Sequence, residues 1–231
     1  SALLFFFFVT WSSSGSLLSI WLHQEVGLKP GDTGIIFSVL SVSALFAQVC
    51  YGFIQDKLGL RKNLLWYITV LLILSGPAYM LFGYLLKINV LLGSIFGGIY
   101  IGLTFNGGIG VLESYTERVA RQSQFEFGKA RMWGSLGWAV ATFFAGLLFN
   151  INPHLNFAVA SCSGLVFFIL LARLRVSSAP HAMQEAVSGG KVTLEDALRL
   201  LTLPRFWALV FFVIGTCIYG VYDQQFPVYF S

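Results

Sequence analysis

Seven long stretches of this chain carry no charged side chain, and they constrain its fold more than any other feature. Each holds 17 or more residues, enough for a helix to cross about 30 Å of hydrocarbon. They cover residues 2–22, 33–54, 64–86, 90–112, 132–151, 155–172 and 206–222. Charged residues make up only 10% of the chain, against about 25% in a soluble domain. We therefore predict an all-α membrane protein that crosses the bilayer several times.

The basic residues lie in alternate loops. Of the 14 Lys and Arg residues, 12 lie in or beside the loops after the second, fourth and sixth stretches. These are Lys57, Arg61, Lys62, Arg118, Arg121, Lys129, Arg131, Arg173, Arg175, Lys191, Arg199 and Arg205. Because basic loops stay in the cytoplasm, we predict a cytoplasmic N-terminus. The net charge of +4 follows this sorting and does not indicate a nucleic-acid partner.

The polar stretch after the sixth apolar segment divides the chain. It contains Ser177, Pro180, Gly189 and a capped helix start at Thr193. We predict a six-helix bundle over residues 1–172, a central cytoplasmic loop over 173–204 and a seventh helix within 205–231. A lone seventh helix after a long loop predicts that the chain is the first part of a longer protein.

Residue types typical of catalytic and metal sites are scattered. Cys50, Cys162 and Cys217 all fall in predicted spans without the spacing of metal ligands. We expect buried, reduced thiols there. No nucleophile–base set or phosphate loop occurs in the sequence, so we predict neither an enzyme nor a metal site.

Glycine is frequent in the fourth stretch. Gly93 and Gly97 form one pair four residues apart, and Gly98 and Gly102 form another. This spacing lets helix backbones approach closely, which predicts tight packing. Tightly packed helices also suit a bundle that rocks as one body.

A charged corner lies between the second and third stretches, formed by Gly52, Asp56, Lys57, Gly59 and Arg61. The plainer interpretation is an ordinary basic cytoplasmic loop. We favour a functional one, because the spacing and position match the signature loop of the major facilitator superfamily.

Glu113 follows the fourth stretch, and Arg131 precedes the fifth. Trp138 comes seven residues after Arg131, so the two share a helix face. A carboxylate, a guanidinium and a flat ring suit a sugar, since charged groups bind vicinal hydroxyls in bidentate fashion. The alternative is that both charges extend separately to water at the membrane edge.

Six short stretches, in order along the chain, resemble the oligosaccharide:proton symporters of the major facilitator superfamily. They are Ile20-Trp21-Leu22-His23, Asp32-Thr-Gly-Ile-Ile-Phe37, Gln55-Asp-Lys-Leu-Gly-Leu-Arg-Lys62, Gly97-Gly-Ile-Tyr100, Phe125-Glu-Phe-Gly-Lys-Ala-Arg131 and Asp223-Gln-Gln225. The resemblance implies the N-terminal six-helix bundle of that superfamily, built from 3+3 inverted repeats, and the seventh helix of a twelve-helix transporter. It also implies a multi-pass protein of the bacterial inner membrane.

The resemblance also implies roles for individual residues. Glu113 and Arg131 would recognise galactosyl hydroxyls, and Trp138 would stack on the sugar ring. The same cavity would be lined by Phe8, Trp11, Asn106 and Tyr219. The gating loop would contain Gly52, Asp56, Lys57, Gly59 and Arg61, and Asp223 would pair with a basic residue of the second half.

The residues that bear on sugar specificity resemble two different types of family member. Glu113 and Trp138 match lactose-type members, whereas Trp11, Gly220 and the stretch 152–156 lean towards sucrose-type members. We expect symport of a galactoside such as melibiose or lactose, with sucrose or raffinose as the alternative and a non-transporting sugar sensor as a remote one. The expected partners are a disaccharide, a proton, the lipid bilayer and the C-terminal half. We expect a monomer without a cofactor, with the proton as coupling ion.

Overall fold

A computed structural model describes residues 1–58, 62–174 and 202–215, and in these ranges all regular structure is helical. The helices are α1 (Ala2–Gly15), α2 (Leu18–Gln24), α3 (Pro30–Leu58), α4 (Lys62–Ile73), α5 (Ser75–Ile88), α6 (Val90–Ile101), a π-helical segment (Gly102–Gly107), α7 (Gly108–Gln122), α8 (Phe127–Ile151), α9 (His154–Arg173) and α10 (Pro204–Gly215).

Six of the predicted spans are present as apolar helices. Five continuous stretches are long and apolar enough to cross a bilayer, namely Ala2–Gln24, Gly31–Ile54, Val90–Arg121, Phe127–Ile151 and His154–Arg173. The third span is a bent pair, α4 and α5. The predicted all-α membrane fold is thereby confirmed. Of the seventh predicted span, 206–222, the described part is α10 as far as Gly215.

The helices pack in a pattern with internal symmetry. The first span contacts the fifth and sixth spans most extensively. In the same way the fourth span contacts the second and third, and the third also packs on the sixth. Exchanging the first three spans for the last three leaves this pattern unchanged. Such an arrangement is expected of two three-helix repeats.

The third span bends by 61° between α4 and α5. Pro77, in the first turn of α5, has no N–H to donate to the carbonyl of Ile73, and its ring crowds that carbonyl. Two neighbouring helices bond backbone groups at the break. The Tyr100 hydroxyl donates to the Leu71 carbonyl at 2.6 Å, and the Gly76 N–H donates to Ser161 Oγ at 2.9 Å.

Glycine permits the close helix contacts that its spacing predicted. A Cβ on Gly97 would lie within 2.7 Å of the Phe82 ring of α5, and one on Gly98 would lie 2.6 Å from Ser43 Oγ of α3. Gly164 of α9 allows a similar approach, since its Cβ would lie 2.7 Å from the Leu72 carbonyl at the bend. The fourth span therefore packs against the second and third through two different glycine faces.

The fourth and fifth spans extend further than predicted. The fourth helix continues to Gln122 rather than ending near residue 112, and α8 begins at Phe127 rather than at residue 132. The additional turns of α7 are amphipathic and carry an i,i+4 ion pair between Arg121 and Glu117. The prediction ended each span at its first charged residue, whereas helices continue into the interface wherever their polar face meets water.

By internal contacts the chain divides into two compact units, Ser1–Arg173 and Leu174–Ser231. The first boundary lies one residue from the predicted end of the six-helix bundle. The assignment of 173–204 as a cytoplasmic loop and of 205–231 as the start of a second bundle stays a prediction.

Candidate functional site

The ion pair between Arg131 and Glu113 is the centre of the candidate site. Arg131 lies on α8 and Glu113 on α7, 18 residues apart in sequence, and Arg131 Nε donates to Glu113 Oε1 at 2.5 Å. About one third of each side chain is exposed, 36% for Arg131 and 34% for Glu113. The pair is therefore accessible yet well shielded from bulk water.

Both charges lie inside helices, because α7 continues beyond Glu113 and α8 begins before Arg131. The sequence prediction places both charges just outside the spans 90–112 and 132–151, and the structure corrects those bounds. A tight turn joins the two helices, with Gln124 at a φ of 54°, and brings α7 back alongside α8. The alternative that each charge extends separately to water is wrong, since the two side chains bond to each other.

The ring of Phe8, on α1, packs under the guanidinium of Arg131. Arg131 Cζ lies 4.5 Å from the ring centroid, within the distance of a cation–π interaction. Trp138 also contacts Phe8, edge to face, with centroids 6.3 Å apart. Arg131 and Trp138 therefore meet the same residue, as expected of positions two helical turns apart.

Trp11 extends this group into a wall of aromatic rings. Its ring meets Trp138 edge to face at 5.6 Å and stacks on Phe105 of the π-helical segment at 5.7 Å, with 12° between the planes. The wall joins α1, the π-helical segment and α8. Trp138 is half-buried, so part of its surface remains available to a ligand.

Ser12 fixes the backbone of α8 next to Trp138. Its hydroxyl lies 3.2 Å from the Trp138 carbonyl and 2.7 Å from Thr142 Oγ1. Ser12 is buried, and a hydrogen bond in such surroundings is costly to break. The position of the Trp138 ring relative to α1 is therefore set by both packing and hydrogen bonding.

Asn106 lies on the π-helical segment, where π turns frequently occur at functional sites. Its side chain is half-buried and forms no hydrogen bond with other residues in the described ranges. The neighbouring Phe105 connects this segment to the wall through Trp11.

The arrangement has clear chemical capacity. Arg131 uses Nε for Glu113, and within the part of the chain described here its two Nη groups have no hydrogen-bond acceptor. Glu113 bonds through Oε1, and its second oxygen is likewise without a donor among those residues. Donors, an acceptor and an aromatic face are thus side by side, a set that suits a polyhydroxylated ring.

Several predicted residues lie elsewhere or outside the described ranges. Gly52 is exposed on α3, and a Cβ there would meet nothing within 4 Å. Asp56 and Lys57 lie on the last turn of α3. Gly59, Arg61, Tyr219 and Asp223 lie outside the described residues.

Within the described ranges no cluster of three or more His, Cys, Asp or Glu side chains is placed to hold a metal ion. The expectation of buried thiols is wrong for Cys50 and Cys162, both of which are exposed. Position within a span does not determine whether a residue faces the helix packing or the surface. Cys217 lies outside the described residues.

The sequence reasoning missed Phe105, Gly134 and the Ser12–Thr142 contact. Gly134 lies one turn after Arg131, and its missing side chain leaves space for the Phe8 ring. A glycine at i+3 from a charged residue was the available signal. Phe105 had none, because its contact with Trp11 depends on how distant helices pack.

Comparison with known proteins gives consistent similarity along the whole chain. The profile described as LacY proton/sugar symporter matches residues 1–231. The chain is 40% identical over 231 residues to the sucrose permease of Escherichia coli, covering 98% of this chain and 55% of that protein. It is 42% identical to the melibiose permease of Enterobacter cloacae (98% and 55%) and 42% identical to the lactose permease of Citrobacter freundii (92% and 52%). The chain spans about half the length of these relatives.

Proposed function

The chain belongs to the LacY proton/sugar symporter family, and from that membership we propose that the whole protein carries a galactoside disaccharide together with a proton across the bacterial inner membrane. The family consists of permeases rather than enzymes, and the apolar helices make this chain a multi-pass membrane protein.

The observation that carries the proposal is the Glu113–Arg131 pair beside Trp138. Arg131 offers its Nη donors and Glu113 its second carboxylate oxygen to neighbouring hydroxyls of one sugar ring. Trp138 presents an indole face to the apolar side of the same ring. Charge-assisted hydrogen bonds of this kind give both affinity and geometric selection.

The binding energy that each charge contributes depends on how far the Glu113–Arg131 pair is shielded from water. Removing either charge leaves the other unpaired at a site where about two thirds of each side chain is shielded from water, and truncating one partner of a buried charge pair typically costs about 2–5 kcal/mol in binding. By affinity arithmetic this is a loss of roughly 30-fold to several-thousand-fold. Such a loss would bring transport of a weakly bound sugar below detection.

Transport would proceed by alternating access, with two bundles rocking around a sugar site near the midplane. In this mechanism the gating loop would contain Gly52, Asp56, Lys57, Gly59 and Arg61. By the resemblance, Tyr219 would lie near the sugar, and Asp223 would pair with a basic residue of the C-terminal half. The proton-handling groups would lie in the C-terminal half of the same permease, which would be the partner of this chain. The protein would act as a monomer with its N-terminus in the cytoplasm.

Sucrose or raffinose is the competing substrate. Trp11, Gly220 and the stretch 152–156 are the features that favour it, because they resemble sucrose-type members of the family. The nearly equal identity to sucrose, melibiose and lactose permeases, between 40% and 42%, leaves this choice to experiment. Glu113 and Trp138 are the basis for preferring galactosides.

Uptake of melibiose, lactose, sucrose and raffinose by the full-length protein, in a strain lacking other permeases, tests the proposal. Melibiose or lactose uptake that collapses when the proton gradient is dissipated supports proton-coupled galactoside transport. A preference for sucrose would contradict the proposed galactoside substrate and would leave the assignment as a sugar transporter intact. Binding without counterflow in vesicles would indicate a sensor, and chemically altered sugar inside the cells would indicate an enzyme.

A further inference from the structure

Phe8 is almost fully buried although it lies beside the proposed sugar site. Only 7% of the residue is exposed. One side of its ring faces Arg131 Cζ at 4.5 Å, and Trp11 stacks on it with centroids 5.8 Å apart and 29° between the planes. Trp138 covers an edge. Little of the Phe8 surface is left to touch a ligand directly.

The contact between Phe8 and Arg131 requires glycine at position 134. A Cβ on Gly134 would lie 2.7 Å from Phe8 Cδ2 and 3.2 Å from Arg131 Nη1. Real Cβ atoms do not approach ring carbons that closely, so any side chain would displace the Phe8 ring. Gly134 lies one turn after Arg131 on α8, so the space that it leaves is directly beside the guanidinium.

Two contacts therefore orient the guanidinium of Arg131. Glu113 holds Nε from one direction, and the Phe8 ring supports Cζ from another. A cation above an aromatic ring is attracted by the negative potential of the ring face, more strongly where water is excluded. With both contacts in place the Nη donors are presented in a fixed direction.

We infer that Phe8 and Gly134 are positioning residues, which act on the sugar through the orientation of Arg131. The inference rests on the proposed function of the Glu113–Arg131 pair as the sugar-binding group. It changes the expected role of Phe8 from a sugar contact to a support for the guanidinium, and it assigns a role to Gly134.

Ring-fluorinated phenylalanine at Phe8 tests the inference in the full-length protein. Fluorination nearly keeps the shape of the ring and removes the negative potential of its face. We expect the KM for counterflow of melibiose, or of sucrose if the parent protein exchanges that sugar instead, to rise by about 2- to 30-fold. A purely structural role of Phe8 would leave the KM at the parent value, and this outcome would overturn the inference.

Substitutions by standard amino acids test the positioning role a second time and independently of fluorination. Gly134→Ala and Phe8→Leu should each raise the KM by a similar factor, while the double variant should be no worse than Phe8→Leu alone, because both act on one contact. Gly146→Ala on the same helix is the matched control, since a Cβ there meets nothing within 4 Å. A parent-like KM for Gly134→Ala would also contradict the inference.

Glu113→Gln, measured alongside, separates this inference from the proposed function. If Glu113→Gln exchanges sugar normally, the binding site itself is wrong, and the inference fails with it. If Glu113→Gln is inactive and the fluorinated ring is neutral, the proposed site stands and the positioning role alone is overturned.

Discussion

Arg131 on α8 bonds through Nε to Oε1 of Glu113 on α7 at 2.5 Å, although each residue lies at the margin of an uncharged stretch. Two isolated charges at those positions would ordinarily reach for water. Their pairing instead concentrates donors and an acceptor at one place on the bundle.

Replacing Trp138 tests the aromatic part of the site. Trp138→Phe keeps a flat ring against Phe8 and Trp11, so most of the affinity for sugar should remain. Trp138→Leu removes the stacking face, and we expect the KM for melibiose counterflow to rise by about tenfold, which corresponds to about 1.4 kcal/mol. Equal KM values for the Phe and Leu variants would show that the ring does not stack on the sugar.

The bend of the third span should depend on Tyr100. Tyr100→Phe removes the hydroxyl that donates to the Leu71 carbonyl at 2.6 Å, and a lost hydrogen bond of this kind costs about 0.5–1.5 kcal/mol of stability. We expect a lower midpoint of thermal unfolding in detergent. Tyr84→Phe is the control, because Tyr84 is 63% exposed. Equal midpoints for the two variants would contradict a role of this hydroxyl at the bend.

Labelling of single cysteines tests the predicted orientation. With Cys50, Cys162 and Cys217 replaced, Ser123→Cys in the α7–α8 turn should react with a membrane-impermeant maleimide only after the cytoplasmic face is opened. Asn89→Cys, after α5, should react from outside in intact cells that have a permeabilised outer membrane. Both positions are exposed, so accessibility depends on the side of the membrane. The reverse pattern would place the N-terminus outside.

Much of the fold was predictable because hydrocarbon imposes a simple rule. A helix that crosses it must be apolar over its length, and the uncharged stretches therefore located six spans that the structure contains as helices. Glu113 and Arg131 misled the boundaries, since α7 continues for nine residues beyond Glu113 with charges along one face. An uncharged stretch ends at the first charged residue, whereas the helix that contains it continues past that residue.

The bend and the π-helical segment were not predictable in the same way. Pro77 indicated a disturbance, but the bonds from Tyr100 and Ser161 that complete the bend come from other helices. At the site, spacing and resemblance grouped Arg131 with Trp138, and packing added Phe105 and Gly134. Contacts between distant segments, rather than local pattern, determine these features.

Sugar exchange by the Glu113→Gln variant of the full-length protein tests the central claim most directly. The substitution keeps the shape of the side chain and removes the negative charge that pairs with Arg131. We predict that counterflow of melibiose, lactose and sucrose is abolished, while the amount of protein in the membrane matches that of the Gly146→Ala control. Counterflow near the parent rate would contradict the assignment of the Glu113–Arg131 pair as the sugar-binding site.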